Sequence, residues 1–262
     1  MITLLLLGAL VQDDPAALRE RVAKLEALLA EKERTIAKLQ EEIAELKKKL
    51  PAADPKKKLQ EKIKKLDDDL RETPNNADLW IERAGVKLEL DDAKGAIEDA
   101  TNALRLNPAV PAAYNLRARA RLEMGDARGA TADVDESIRL DPRRTESWEL
   151  RARTHEMCGD LESALKDYER AIELDPKAVG GWLGRTRVRL ASGDMDGALA
   201  DVTRAIELEP KSADAYSLRG SIRHSLGDKD GARTDYKRAL DVAPADWKPR
   251  TKIEEALKKL GK

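Results

Sequence analysis

His155 and Cys158 are the residues in this 262-residue chain best equipped for covalent chemistry. Three apart on a helix, a thiol and an imidazole share a face, which is the beginning of a nucleophile–base pair. Cys158 is the only cysteine and His155 and His224 are the only histidines. An internal disulfide is therefore excluded, and a histidine-based metal site lacks ligands. There is no phosphate-cradling loop, no dinucleotide glycine pattern and no metal-ligand spacing. Charge supplies the richer chemistry. Arg83, Arg117, Arg151, Arg185 and Arg219 recur at intervals of 34 residues. Four residues after each stand Lys87, Arg121, His155, Arg189 and Arg223, and sixteen after each stand Asp99, Asp133, Asp167, Asp201 and Asp235. Residues four apart share a helix face, so each interval brings two cations and one carboxylate to one contact. His155 falls in the cation row, which assigns it to an ion-pair network rather than to catalysis. An anion-binding row is the functional alternative. Pairing within an interval and pairing between neighbours both satisfy the pattern.

The elements that position these charges repeat with the same period. Pro108, Pro142, Pro176, Pro210 and Pro244 are spaced by 34. Each is preceded by an aromatic at Trp80, Tyr114, Trp148, Trp182 or Tyr216, and by an alanine at Ala96, Ala130, Ala164, Ala198 or Ala232. Small residues also recur at Ala84, Ala118, Ala152, Thr186 and Gly220. Between the halves lie Asp91-Asp92, Gly125-Asp126, Gly159-Asp160, Gly193-Asp194 and Gly227-Asp228. Glycine ends one helix in a left-handed conformation and aspartate caps the next. Each interval is thus helix–turn–helix, with small residues that let the two helices approach and a proline that stops the second. One such unit cannot bury its apolar face alone, so the units must stack.

This order of aromatic, small residue, Gly-Asp turn, alanine and proline resembles the tetratricopeptide repeat. The resemblance covers residues 77–244 in five units, 77–110, 111–144, 145–178, 179–212 and 213–246, with a capping helix over 247–262. It implies an all-α, right-handed α-solenoid. The arginine and basic rows depart from the family's usual Leu and Tyr. The family's first helices line a concave groove for extended or helical peptides. Carried over residue by residue, that groove would hold Asn115, Arg119, Leu122, Glu149, Arg153, Met157, Leu183, Arg187, Leu190, Ser221 and His224. Arg119, Arg153 and Arg187 form a ladder suited to carboxylates or phosphates on a partner, unless Glu123, Glu149 and Glu156 satisfy them. The spots where some members grip a C-terminal carboxylate hold Ile81 and Gly85, so that mode is unsupported.

Before the repeats, residues 13–50 carry heptads. Position a is Val22, Leu29, Ile36, Ile43 and Leu50, and position d is Leu18, Leu25, Lys32, Leu39 and Leu46. β-branched residues at a with Leu at d predict a parallel homodimeric coiled coil through 16–50. Pro51 and Pro55 break this helix, and 51–73 reads as a lysine-rich linker with a short helix. Nine lysines lie between positions 47 and 65 against Asp54 and Glu61, but no aromatic interleaves them, so base stacking is disfavoured. The apolar run from Ile2 to Val11 is too short to span a bilayer. Residues 1–12 match the apolar core of an export signal, although no Lys or Arg precedes it. With a signal the protein works outside the cytoplasm, and without one inside it.

Overall net charge is −1 with 38% charged residues, which gives no bulk pull toward nucleic acid. The sequence therefore predicts a non-catalytic scaffold without cofactor, metal or small-molecule substrate. It would bind protein or peptide partners, acidic ones included, in the repeat groove. Two alternatives remain: a cell-envelope assembly factor whose coiled coil binds the partner, and a polyanion- or RNA-binding adaptor using the 47–65 lysines.

Overall fold

The computed structural model describes residues 15–49, 55–244 and 246–260. The expected signal at 1–12 and the proline break at 50–54 lie outside the described residues. The chain divides into two compact units, residues 1–58 and 59–262. In the first unit, α1 (Pro15–Lys49) is one continuous helix, about 52 Å long at 1.5 Å per residue. Val22, Leu25, Leu28, Leu29, Ile36 and Leu39 are each at least half exposed along it.

The second unit is a right-handed α-solenoid. Five antiparallel pairs follow one another: α3 (Ala77–Glu89) with α4 (Ala93–Leu106), α5 (Pro111–Glu123) with α6 (Ala127–Leu140), α7 (Thr145–Cys158) with α8 (Leu161–Leu174), α9 (Val179–Ala191) with α10 (Met195–Leu208), and α11 (Ala213–Ser225) with α12 (Lys229–Val242). The helix α13 (Arg250–Leu260) closes the stack, burying Ile253 and Leu260 against Ala232 and Tyr236. Each second helix starts on an aspartate. Asp92, Asp126, Asp160, Asp194 and Asp228 accept hydrogen bonds from the amide three residues on. Four of the turns place a glycine at positive φ, whereas Asp91 (φ 62°) occupies that position in the first pair.

Close approach of paired helices depends on side chains with little bulk. Ala84, Ala96, Ala118, Ala130, Ala152, Ala164, Ala198 and Ala232 are fully buried. The aromatics then fill the edge of each contact. The indole nitrogens of Trp80, Trp148 and Trp182 donate to the carbonyls of Pro74, Pro142 and Pro176 at 2.9–3.0 Å, fixing the angle between consecutive units.

Two features depart from the sequence pattern. The region 51–73 reads as a linker with a short helix. The helix there, α2 (Pro55–Glu72), has 18 residues and buries Leu66 and Leu70, and Pro74 after it lies 34 residues before Pro108, in phase with the repeats. Asp67 of this helix pairs with Arg83 of α3 at 2.6 Å. The second feature is an exchange of bulk between units three and four. A second-helix residue normally meets a leucine sixteen positions on, as in Ala100–Leu116, Val134–Leu150 and Val202–Leu218. At the third position Tyr168 meets Gly184, where an added Cβ would lie 2.1 Å from the ring.

This complementarity predicts a swap. Gly184→Leu alone should destabilise the protein by about 1–3 kcal/mol through overpacking. Tyr168→Val with Gly184→Leu, which recreates the pairing of the neighbouring units, should recover most of that loss. Urea unfolding followed by circular dichroism measures both.

Candidate functional site

Every unit places one aspartate at the seam between its two helices. Asp99, Asp133, Asp167, Asp201 and Asp235 are at most 5% exposed. Each is held by two parallel hydrogen bonds from the arginine of its own unit, at 2.6–2.9 Å. Each guanidinium also stacks on the aromatic three residues before it, with its carbon 4.7–5.7 Å from the ring centre. Pairing is therefore within the unit, and in three cases the arginine also reaches back to the preceding helix. Arg83 meets Asp67, Arg117 meets Thr101 and Arg151 meets Asp135. The carboxylate of Asp167 is the main reason that the Arg151 guanidinium is held more firmly protonated than usual. This row is consumed by the fold and is not an anion-binding surface.

The second cation completes the clamp. Arg121, Arg189 and Arg223 reach Asp133, Asp201 and Asp235 at 2.6–2.8 Å, and Lys87 reaches Asp99 at 2.8 Å. His155 is the weak member: its ring nitrogens stand 3.6 Å from Asp167 and 3.7 Å from Asp160. Both nitrogens face carboxylates, and Cys158 is exposed at the end of α7. Nothing among the described residues couples the imidazole to the thiol. Nor do the described residues hold a group of three His, Cys, Asp or Glu side chains placed for a metal, or a helix long and apolar enough to cross a membrane.

The groove lies on the opposite side of the same first helices. Arg119, Glu146, Glu149, Leu150 and Arg153 line a recess of about 190 Å³. It adjoins a larger one of about 660 Å³ bounded by Glu149, Arg153, Glu156, Met157, Tyr168, Gly180, Leu183 and Arg187. A third concavity of about 660 Å³ continues past Leu183 and Arg187 to Asp214, Ser221 and Lys252. Of the expected groove residues, Arg119, Glu149, Arg153, Met157, Leu183, Arg187 and Ser221 line these walls. Asn115 and Leu122 do not. Asn115 is buried and exchanges hydrogen bonds with Ser147, and Leu122 packs beside Val134 and Leu150. Leu190 packs against the core of the fourth unit, and His224 is exposed outside all three recesses.

Charges in the groove are unevenly satisfied. Arg187 lies 3.5 Å from Glu156 and 3.4 Å from the Tyr168 hydroxyl. The Tyr168 hydroxyl donates to Glu156 at 2.5 Å, and burial together with that carboxylate pushes its pKa up. Glu146 pairs with Arg144 at 3.0 Å. Among the described residues no carboxylate comes within ion-pair distance of Arg119 or Arg153. Glu149 sits above the amino end of α9, close over Gly180. Burial raises its pKa, opposed by the Gly181 amide, and its Oε1 has no hydrogen-bond donor. Tyr168 is a groove residue that the sequence pattern does not select, whereas Glu156 is one of the glutamates set against the arginine ladder from sequence. The glycine at 184, where other units carry leucine, is the available signal for Tyr168. The lysine cluster is in part internally satisfied, since Lys62 pairs with Glu82 at 2.7 Å.

The tetratricopeptide-repeat family profile matches residues 115–179 and 183–246. No curated protein matches the sequence. Among solved structures, a thermophilic tetratricopeptide-repeat protein of Thermus thermophilus superposes with a TM-score of 0.65 at 24% identity, covering 70% of this chain and all of that one. A tetratricopeptide-repeat protein of Parabacteroides merdae gives 0.66 at 22% identity, over 78% of each chain. YrrB, a repeat protein with an unusual peptide-binding site, gives 0.50 at 18% identity, over 74% of this chain and 97% of its own.

The clamp predicts that His155→Arg stabilises the protein. An arginine here would reproduce the contacts of Arg121 and Arg189, each of which bonds both the aspartate and a carbonyl near the start of the second helix. A gain of about 1 kcal/mol should raise the melting temperature by about 2–4 °C, read by calorimetry.

Proposed function

This chain is a tetratricopeptide-repeat protein, a class that generally serves as protein-interaction scaffolds, and from that premise we propose that its central groove binds an acidic segment of a partner protein. The observation carrying this reading is the pair of guanidinium groups on Arg119 and Arg153. They face an open recess on successive first helices, where no carboxylate among the described residues comes within ion-pair distance of either and Glu149 acts on Arg153 only from further off. The clamp row shows what this chain does when an arginine serves the fold: it supplies a buried aspartate. Arg119 and Arg153 have no such bonded aspartate, and guanidinium groups are suited to carboxylate ligands through their paired donors. Met157, half exposed beside Arg153, and Leu183 add apolar wall.

The exposed stripe on α1 is assigned to a second copy of this chain. Val22, Leu29 and Ile36 at position a with Leu25 and Leu39 at position d suit a parallel two-stranded coil, and Lys32 in the seam disfavours larger assemblies. Dimerisation would tether two grooves, so a partner carrying several acidic segments gains avidity without any new contact.

Two outcomes test the reading. Charge reversal in Arg119→Glu/Arg153→Glu should reduce binding of a glutamate-rich peptide at least tenfold, and wild-type affinity should fall as salt rises, measured by fluorescence anisotropy. Unchanged affinity in that variant would sink the groove assignment. Separately, Leu25→Asp/Leu29→Asp should convert a dimer to a monomer in analytical ultracentrifugation with the solenoid's helicity retained. A wild-type monomer would remove the α1 assignment.

A further inference from the structure

We infer that the groove reads a specific spacing, acidic side chains three residues apart on a ligand segment in the polyproline II conformation. This inference rests on the groove reading above and adds the ligand's register and backbone shape.

The spacing follows from how the first helices pack. α5 touches α7 and α7 touches α9 directly, and helices in contact lie about 8–10 Å apart. Arg119 and Arg153 occupy equivalent positions on α5 and α7, so their guanidinium groups form rungs at about that interval. A polyproline II segment has three residues per turn and rises about 3.1 Å per residue. Its side chains at i and i+3 therefore project from one face about 9.3 Å apart. A β-strand places same-face side chains about 6.7 Å apart, or about twice that. An α-helix reaches about 10.5 Å only at i and i+7.

Reach separates the extended from the helical occupant. A polyproline II segment spans both rungs within four residues, whereas a helix needs eight to present side chains at a similar interval on one face. Glu149 lines the same recess, but its Oε1 is buried and its carboxylate is bonded by the Gly181 amide, so it offers the ligand no free acceptor there. The third rung is weaker by construction. Arg187 already leans on Glu156 and Tyr168, so a third acidic residue at i+6 competes with an internal partner. The recognised pattern is acidic–x–x–acidic.

Short fluorescein-labelled peptides titrated against the full chain at low salt test this. Three contain two glutamates separated by two, three or four positions in a proline–alanine host. A fourth holds them seven apart in a helical alanine host. The three-residue spacing should bind roughly tenfold more tightly than the other two extended spacings. That preference should vanish in Arg119→Gln/Arg153→Gln, with circular dichroism unchanged. Equal affinity for all four peptides, lost in the double variant, would overturn the spacing and leave the groove reading standing. Tightest binding by the helical peptide would overturn the extended register alone. No binding of any peptide to the wild-type chain would overturn both.

Discussion

The stack depends on a carboxylate sealed between two helices and gripped by a two-pronged guanidinium. A solenoid core is only one helix pair thick, and here the contact surfaces are alanines and glycines that are almost wholly shielded. Small residues bring the backbones together but hold little apolar area, so they define distance better than direction. The Asp–Arg clamp supplies direction. Its donors form a rigid fork, its arginine lies across an indole or phenol, and in three units it also reaches the preceding helix. Burying such a pair costs desolvation that the attraction offsets only with good geometry, and removing one partner typically costs about 3–5 kcal/mol. That penalty makes the clamp a device for registry as much as for stability.

A helix turns by 100° per residue, so two positions apart means nearly opposite sides. Arg117 and Arg119, Arg151 and Arg153, and Arg185 and Arg187 are such pairs. The first of each enters the clamp and the second faces the groove. One residue type thus performs two tasks on one helix, separated by geometry alone. At the groove position the outer units carry Gly85 and Ser221 instead, which confines the ladder to the three central repeats, where neighbours on both sides hold the first helices most firmly.

The repeats were legible because their constraints are local. A proline, a turn glycine and an alanine each answer a backbone requirement that recurs identically in every unit. The helix before the repeats was legible as a helix, but its phase was hidden. Pro74 follows it in step with the repeat prolines, yet the helix carries Lys65 where the units place the clamp aspartate. The groove was legible in its charged members and misread at Asn115 and Leu122. Their helix positions do adjoin the concave side, but Ser147 and Leu150 reach across from the next unit and enclose them. A contact of that kind is a property of two units together, and a pattern read one unit at a time does not contain it.

Tyr168 shows where uniformity gives way to function. Stacked repeats favour sameness, because each interface is solved once and reused. The third interface departs from that solution: the phenol enters from a second helix, the facing leucine is reduced to Gly184, and the hydroxyl emerges in the groove beside Glu156 and Arg187. A glycine inside a helix sacrifices about 1 kcal/mol of propensity, and a buried phenol needs a partner for its hydroxyl. Packing alone requires neither, since valine and leucine serve at the adjoining interfaces. The consequence is on the concave surface, where the same phenol partly occupies the third guanidinium and leaves the first two open. Breaking the repeat at that one interface grades the ladder from open to occupied, and a graded ladder gives a bound segment a direction as well as a position.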